Sequence, residues 1–490
     1  MKRHLALIVV IAAACLRLAA ADIPQQTPQN QQQQGPANHQ TEGPAEATPA
    51  AKSDVKLEVE PRKFGDRAGW RVKLPGGRTL ATPAWADGKI FLGGGFGSHE
   101  FYALDAESGS LVWLYHTGDD GPTAAVYGDG CIAFNTESCE LEILTPRGRR
   151  LWKKWLGDPL MSMPAIDKKR VYMAYPESRG DRSHYVACFD LESGKPIWRQ
   201  PLHGEIITAP VLADGRVYLS TLAGVMYCFD AETGKVFWSD KRNATSSPAV
   251  WKGRAFYSQR SEKVRTENGK EVREQNESVS DMRSAASGPK DGDRAITSTT
   301  SSAVYLDYAR KASSSSERAK QAADATVGFG GSKGDAKIAQ ASANLGENSV
   351  YGVWAYQGSR PTIYGERLYT GMGDTLKCVN IGDGKIVWAR TLRDPKNKEG
   401  VERTLVPPAI VNGKIFEVTS YGELVVLHAA SGKTLWTANL GEPVAFQPVV
   451  AKGRVYVPTT RGSVICVETG DPKDDGWYMW GANAQHTGIR

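Results

Sequence analysis

The 490-residue chain contains no two adjacent cysteines, no Cys-x-x-Cys and no His-x-x-x-His, and its eight histidines are scattered. Those gaps exclude the common zinc and dithiol-redox spacings. A membrane-crossing run is not found at the N-terminus either: the uncharged stretch Leu5 to Ala14 has roughly ten residues, where a bilayer crossing needs about 20. Strong charge of one sign is lacking. Of the net +6, three positive charges sit on Lys2, Arg3 and Arg17, ahead of the first acid at Asp22, so no nucleic-acid partner is expected. What is present is 41% hydrophobic residues with 13 Trp, 18 Tyr and 51 Gly, enough for a core and many tight turns. This length fits two to four ordinary domains or one closed all-β domain.

The first 21 residues read as an export leader, with Lys2 and Arg3, an apolar stretch, and Ala19-Ala20-Ala21 before Asp22 as the cleavage site. A second reading is lipoprotein processing, because Ile11-Ala12-Ala13-Ala14-Cys15 loosely matches a lipobox in which Cys15 carries the lipid. Either reading places the protein in the periplasm or at the outer membrane, touching a membrane only through that lipid. From Asp22 the chain is rich in Gln, Pro, Ala and Asn, too polar to offset the entropy of ordering. Residues 22–66 are therefore expected to be a disordered tether, and 67–490 the folded domain.

Self-similarity organises the rest. The signature small-x-Asp-x-x-Thr/Ser-Gly-x-x-x-Trp occurs with Asp105, Gly109 and Trp113, with Asp190, Gly194 and Trp198, and with Asp230, Gly234 and Trp238. Weaker copies run from Glu142 (Gly148, Trp152), Cys378 (Gly384, Trp388) and Val426 (Gly432, Trp436). Asp and Ser/Thr side chains cap a turn, Gly supplies positive φ, and Trp opens the next strand as a wedge between units. A second pattern, Pro or Ala followed by a short apolar strand, a Gly turn and a second strand, begins at Pro83, Ala124, Pro164, Pro210, Pro248, Pro361, Pro408 and Pro448. Six of the seven steps between these anchors are 38 to 47 residues, the spacing of a four-stranded propeller blade. The expectation is an all-β, eight-bladed propeller of antiparallel blades. The last unit lacks an outer strand, and the segment around Trp70 is expected to supply it and close the ring.

The fifth unit is longer by an insertion, placed at about 288–348, with its own signature eroded to Ser284–Gly288. Ser314 with Glu317 makes a capping box before Arg318 to Ala325, and Asp335 precedes an Ala-rich run ending at Gly346, so the insertion reads as partly helical or disordered, a partner grip or a tether. With Val350 to Tyr356 as the outer strand of that blade, the insertion would sit opposite the outer-to-inner connections. The tail, with Trp477 and Trp480, reads as packing on the propeller rim. Cys188, Cys228, Cys378 and Cys466 fall at one strand position in four units, as small apolar residues. Cys131 and Cys139 flank a hairpin, and a disulfide between them is left open.

These repeats resemble those of pyrroloquinoline-quinone (PQQ)-type propellers, the family of quinoprotein dehydrogenases and of the outer-membrane barrel-assembly lipoprotein. In a dehydrogenase the resemblance would imply PQQ between a Trp and a vicinal disulfide, with Ca²⁺ and an Asp base. This chain has no vicinal cysteines and no Asp matched to that role, so no catalytic, cofactor-binding or metal residue is assigned. Gly330-Gly331-Ser332-Lys333-Gly334 matches a hydrolase elbow, but in a Gly-rich insertion rather than between strand and helix. The connections from each outer strand to the next inner strand carry acids: Asp119 and Asp120, Asp158, Glu205, and Glu442 with Phe446 nearby. They form the candidate partner-binding face, beside the alternative that they are turn formers. The expected function is a monomeric, non-catalytic envelope scaffold holding a protein or peptide. A PQQ-dependent oxidoreductase with Ca²⁺ and a small-molecule or carbohydrate sensor are the alternatives.

Overall fold

The computed structural model describes residues 46–302 and 361–490, except for short stretches at 96, 138, 158–161, 177–183, 204–208, 222–223, 245, 268–269, 291–292, 373–374 and 393–404. Among the described residues the strands make eight antiparallel sheets, six of four strands and two of five. Each is one blade, numbered here in chain order from the inner strand Ala84–Ala86. A blade opens with three apolar residues, such as Val211–Ala213, and reverses at Asp214-Gly215, both with positive φ, before Arg216–Ser220. The expected closure is present: Arg67–Lys73 pairs with Ser463–Glu468, Trp70 lying opposite Cys466. Inner strands pack around the ring, and Val449–Ala451 of blade 8 meets Ala84–Ala86 of blade 1.

The signature works between blades. Asp190 and Asp230 accept hydrogen bonds from the Ser193 and Thr233 hydroxyls and amides, which hold both carboxyls below the ordinary range. Four of the Trp Nε1 groups donate to a carbonyl in the following blade at 2.8 to 3.0 Å, Trp70 to Glu107, Trp152 to Leu191, Trp198 to Ala231 and Trp388 to Ala429, and Trp113 donates to Pro146 at 3.2 Å. The signature glycine of that following blade lies flat on the ring. A Cβ on Gly234, at φ +72°, would stand 2.5 Å from Trp198, so Gly234→Ala is expected to cost about 2–4 kcal/mol. Urea unfolding reads this directly, and a loss below about 0.5 kcal/mol would contradict the wedge.

A second clamp was not foreseen. The first residue of the second strand is basic in every blade but blade 2, where it is Cys131: Lys89, Arg170, Arg216, Arg254, Arg367, Lys414, Arg454. Several reach across to the next blade. Arg170 donates to Glu232 O at 3.2 Å, Arg367 to Ala430 O at 2.8 Å, Arg254 to Ile381 O at 3.2 Å, and Lys414 pairs with Asp471 and Asp474 at 2.7 and 2.8 Å.

Four expectations need correction. Residues 46–66 are not tether: Val59–Phe64 adds a fifth strand outside Arg67–Lys73, and Thr48–Pro49 adds one outside Leu111–His116. Val55, Leu57 and Val59 alternate and pack on the core, leading the chain into the strand that opens at Val59. The outer strand of blade 5 is Arg294–Ser302, with Ile296 filling the place of the Trp, against Gly384. The eroded turn Ser284–Gly288 does receive Trp238, whose Nε1 donates to Ala285 at 3.0 Å. Extra length within the blade thus lies in a long second-to-third hairpin, and the remaining insertion follows the outer strand instead of preceding it; the two helical stretches and Val350–Tyr356 lie outside the described residues. In blade 2, Ile143 rather than Glu142 faces Trp152, because that turn is one residue shorter. The tail does not lie on the outer rim. It crosses the inner strands, with Trp477 bonded both ways to Val450, and its carbonyls at Tyr478, Ala484, Gln485 and Gly488 accepting from Trp85, Ile166, Leu212 and Ile363. Trp477 and Trp480 are fully buried.

Candidate functional site

Two faces follow from the strand order. The Ala106 amide donates to Gly88 O, which puts the inner-to-second and third-to-outer turns together on one face. On that face the tail is seated: Lys452 pairs with Asp475 at 2.8 Å, and Gly453 N donates to Asp474 O. The opposite face carries the outer-to-inner connections and the second-to-third turns, joined at 2.8 Å by Glu137 N and Asp120 O. The inner strands enter from this face through blade-to-blade bonds, Thr82 Oγ1 to Gln447 O and Ser247 Oγ to Ala209 O, both at 3.0 Å. Gln447 ties blade 7 to the tail, donating to Pro408 O and accepting from Gly481 N at 2.9 Å each.

At the predicted rim, Asp119 and Asp120 are half-exposed after the outer strand of blade 1. Glu137, from the neighbouring turn of blade 2, joins them. Burial, then Asp120 and Asp119, push its carboxyl up to about 8, so it is largely protonated at neutral pH. Lys153, paired with Glu140 at 3.2 Å, stands beside Gly118 as the nearby cation. Asp158 and Glu205 lie outside the described residues. Glu442 and Phe446 are not on an exposed rim. Glu442 is 6% exposed, with Oε2 accepting from Thr459 at 2.7 Å, Oε1 from Ser463 at 2.9 Å, and Arg71 at 3.2 Å. Phe446 is buried in the core. A Gly-acid pair reads alike in a solvated turn and in a folded-in one, so sequence could not separate them.

Two further acids and the cysteines complete the chemistry. Glu142, between blades 1 and 2, accepts from the Tyr115 hydroxyl at 2.6 Å, and burial pushes it up to about 7. Glu417 of blade 7 is fully buried, and burial raises it well above the carboxylate range. Cys188, Cys228, Cys378 and Cys466 each face a Tyr and a Trp across the sheet, as expected. Burial pushes the Cys188 and Cys228 thiols up to about 12, leaving them unreactive thiols. Cys131 and Cys139 are both free, Cys131 opening the strand Cys131–Asn135 and Cys139 lying in the turn that follows it. Among the described residues no group of three His, Cys, Asp or Glu is placed to hold a metal ion.

Eight four-stranded blades bearing this signature define a PQQ-type β-propeller. The family model for the outer membrane protein assembly factor BamB matches residues 137–318 and 372–480, more than half the chain, and the chain belongs to that family. It is 24% identical to the BamB of Yersinia pestis over 126 residues, 25% of this chain and 30% of that one. Over 116 residues it is 28% identical to the dehydrogenase subunit of the quinone alcohol dehydrogenase of Gluconobacter oxydans, 21% of this chain and 14% of that one. The matches thus span less than a third of each curated relative. Among solved structures, BamB from Moraxella catarrhalis aligns with a TM-score of 0.50 at 13% identity, over 84% of this chain and 98% of that one. The quinohemoprotein alcohol dehydrogenase ADHIIG from Pseudomonas putida HK5 aligns at 0.52 and 14% identity, over 82% and 75%. These two structures show the shared fold.

Proposed function

We propose that this chain is a non-catalytic scaffold of the cell envelope that holds a protein or peptide partner on the connection face around Asp119, Asp120 and Glu137. The observation that carries the reading is the asymmetry of the disc. One face is occupied by the chain's own tail, while the other presents a cluster of acids, one of them with its carboxyl pushed up by burial and by its neighbours. A cationic partner segment there would favour the ionised form of Glu137 and draw off its proton. The family relatives named as assembly factors support a scaffolding role. In this reading the protein is a periplasmic monomer, joined to the outer membrane through Cys15 if that residue keeps its lipid. Mass spectrometry of the mature N-terminus distinguishes lipidated Cys15 from cleavage after Ala21.

Native co-isolation tests the scaffold. The wild-type chain is expected to leave mild detergent with a partner in near-stoichiometric amount, and Asp119→Lys/Asp120→Lys is expected to lose it while staying folded. Isolation of the wild type as a lone monomer would contradict the reading. The likeness to quinone dehydrogenases motivates one direct check. A ligand at 100 times its dissociation constant stabilises by about 2.7 kcal/mol. With PQQ and Ca²⁺ added we expect no shift in melting temperature and no new absorbance, and a clear shift would install the oxidoreductase reading instead.

A further inference from the structure

Blade 5 carries a hairpin longer than its blade needs. Its second and third strands, Arg254–Glu267 and Lys270–Met282, have 14 and 13 residues, where those of blade 4, Arg216–Ser220 and Val225–Asp230, have 5 and 6. The inner strand pairs only with Arg254–Phe256, and one further bridge joins Ala244 to Gln259. Beyond it, among the described residues, Arg260–Glu267 is paired on one side alone, with Lys270–Glu277. Its other edge is on the side of the inner strand, toward the ring axis. The hairpin runs toward the connection face, because second-to-third turns lie there.

The sequence of this extension is polar. Only Val264 and Val272 are apolar between Arg260 and Glu277, and they face Arg273 and Arg265 in register. Three of the cross-strand pairs are of opposite charge: Arg260 with Glu277, Lys263 with Glu274, Glu267 with Lys270. Opposed charges favour the ribbon's register. What the ribbon offers a partner is an edge of eight residues, about 27 Å long, whose alternate N–H and C=O groups meet no other strand among the described residues and suit strand addition.

A second copy of the chain is a poor occupant of that edge. Backbone groups on one edge belong to alternate residues, so two identical edges pair antiparallel only with the two-fold axis at a residue. Centred on Glu262, Lys263 or Arg265, that residue meets its own charge; centred on Val264, Lys263 meets Arg265. Every register overlapping five or more residues thus sets like charges opposite, which disfavours self-pairing. Lys263 and Arg265 are two apart, hence on one face of the strand, and a neighbouring strand complements them with carboxylates two apart.

We propose that the free edge of Arg260–Glu267 is a docking edge for an extended segment of another protein, which adds as a strand and carries acidic residues at alternate positions. The proposal rests on the scaffold reading and names one way the partner is held. The test uses the full chain and a fluorescein-labelled seven-residue peptide, Thr-Val-Glu-Val-Glu-Val-Thr, followed by anisotropy. Saturable binding is expected, at least tenfold weaker when Lys replaces Glu in the peptide or when its backbone is N-methylated at alternate residues. Lys263→Glu/Arg265→Glu is expected to reverse the preference between the two peptides. Replacing residues 261–276 by Asn-Gly is expected to abolish binding with an unchanged melting temperature. No saturable binding, equal binding of both peptides, or retained binding by the shortened chain each overturns the docking edge. If the shortened chain still co-isolates its native partner, the edge proposal fails while the scaffold reading stands.

Discussion

Replacing Trp480 with alanine is expected to destabilise the fold by about 3–5 kcal/mol, a large fraction of the stability of a typical domain. The ring is 1% exposed and belongs to the same core cluster as Met163 and Ala165 of blade 3 and Met479 and Ala484 of the tail. It lies 4.9 Å from the His486 ring, whose Nδ1 is 2.8 Å from Trp480 O and whose Nε2 is 2.9 Å from Pro164 O. Truncation therefore opens a cavity where the tail, blade 3 and a buried imidazole meet. Phe237→Ala, at a ring 42% exposed on an outer strand, is the control and is expected to change little. Urea midpoints at constant slope measure both. A loss under about 1 kcal/mol at Trp480 would mean that the tail is peripheral to the fold.

Glu417→Leu is expected to do the reverse, raising stability at pH 7 by about 2 kcal/mol or more. Glu417 is the fourth residue of its strand, where five of the other blades have the apolar Leu92, Phe134, Met173, Leu219 and Val457, and blades 5 and 6 have Tyr257 and Thr370. Among the described residues its carboxyl oxygens meet no donor at hydrogen-bonding geometry, and the adjacent Val418 amide offsets burial only in part. The folded state therefore keeps the proton after the unfolded chain has released it. A carboxyl raised in this way favours the fold below the ordinary pKa of about 4.5, and stability falls as pH rises from there toward the folded value, by up to about 1.4 kcal/mol per unit. Glu142 and Glu137 slope the same way up to about 7 and 8, so the informative quantity is the difference between variant and wild type. That difference should grow between pH 5 and pH 7. Glu417→Gln should flatten the same slope without filling the site with apolar atoms. A variant less stable than wild type at pH 7 would show that the buried acid has a partner that stabilises it.

Eight blades, the closure through Trp70 and the interleaved Gly and Trp were legible because each repeats a local chemistry at fixed spacing. Where a unit met the same physical need with a different residue, the pattern failed. Ile296 fills the gap that Trp fills elsewhere, so the outer strand of blade 5 was sought some fifty residues too late. Val55, Leu57 and Val59 alternate, but the polar sequence before them drew the tether boundary past them. The basic residue after the first turn was in plain view in seven of the eight blades, yet its purpose depends on a partner in the next blade that no single repeat contains. The candidate site was less legible still. Asp119 and Asp120 sit where expected, but Glu137 joins them only through folding, and Glu442 turned inward to Thr459, Ser463 and Arg71. Whether a charged turn residue faces solvent is decided by its neighbours in space, which local spacing does not report.

The central claim is that the connection face, rather than the face carrying the tail, holds the partner. A photo-crosslinking residue placed at Asp120, and in a second chain at Lys235 in the third-to-outer turn of blade 4, tests it in intact cells. The account predicts a discrete protein adduct from position 120 and none from position 235. Adducts from 235 alone, or equal yields from both, would contradict it.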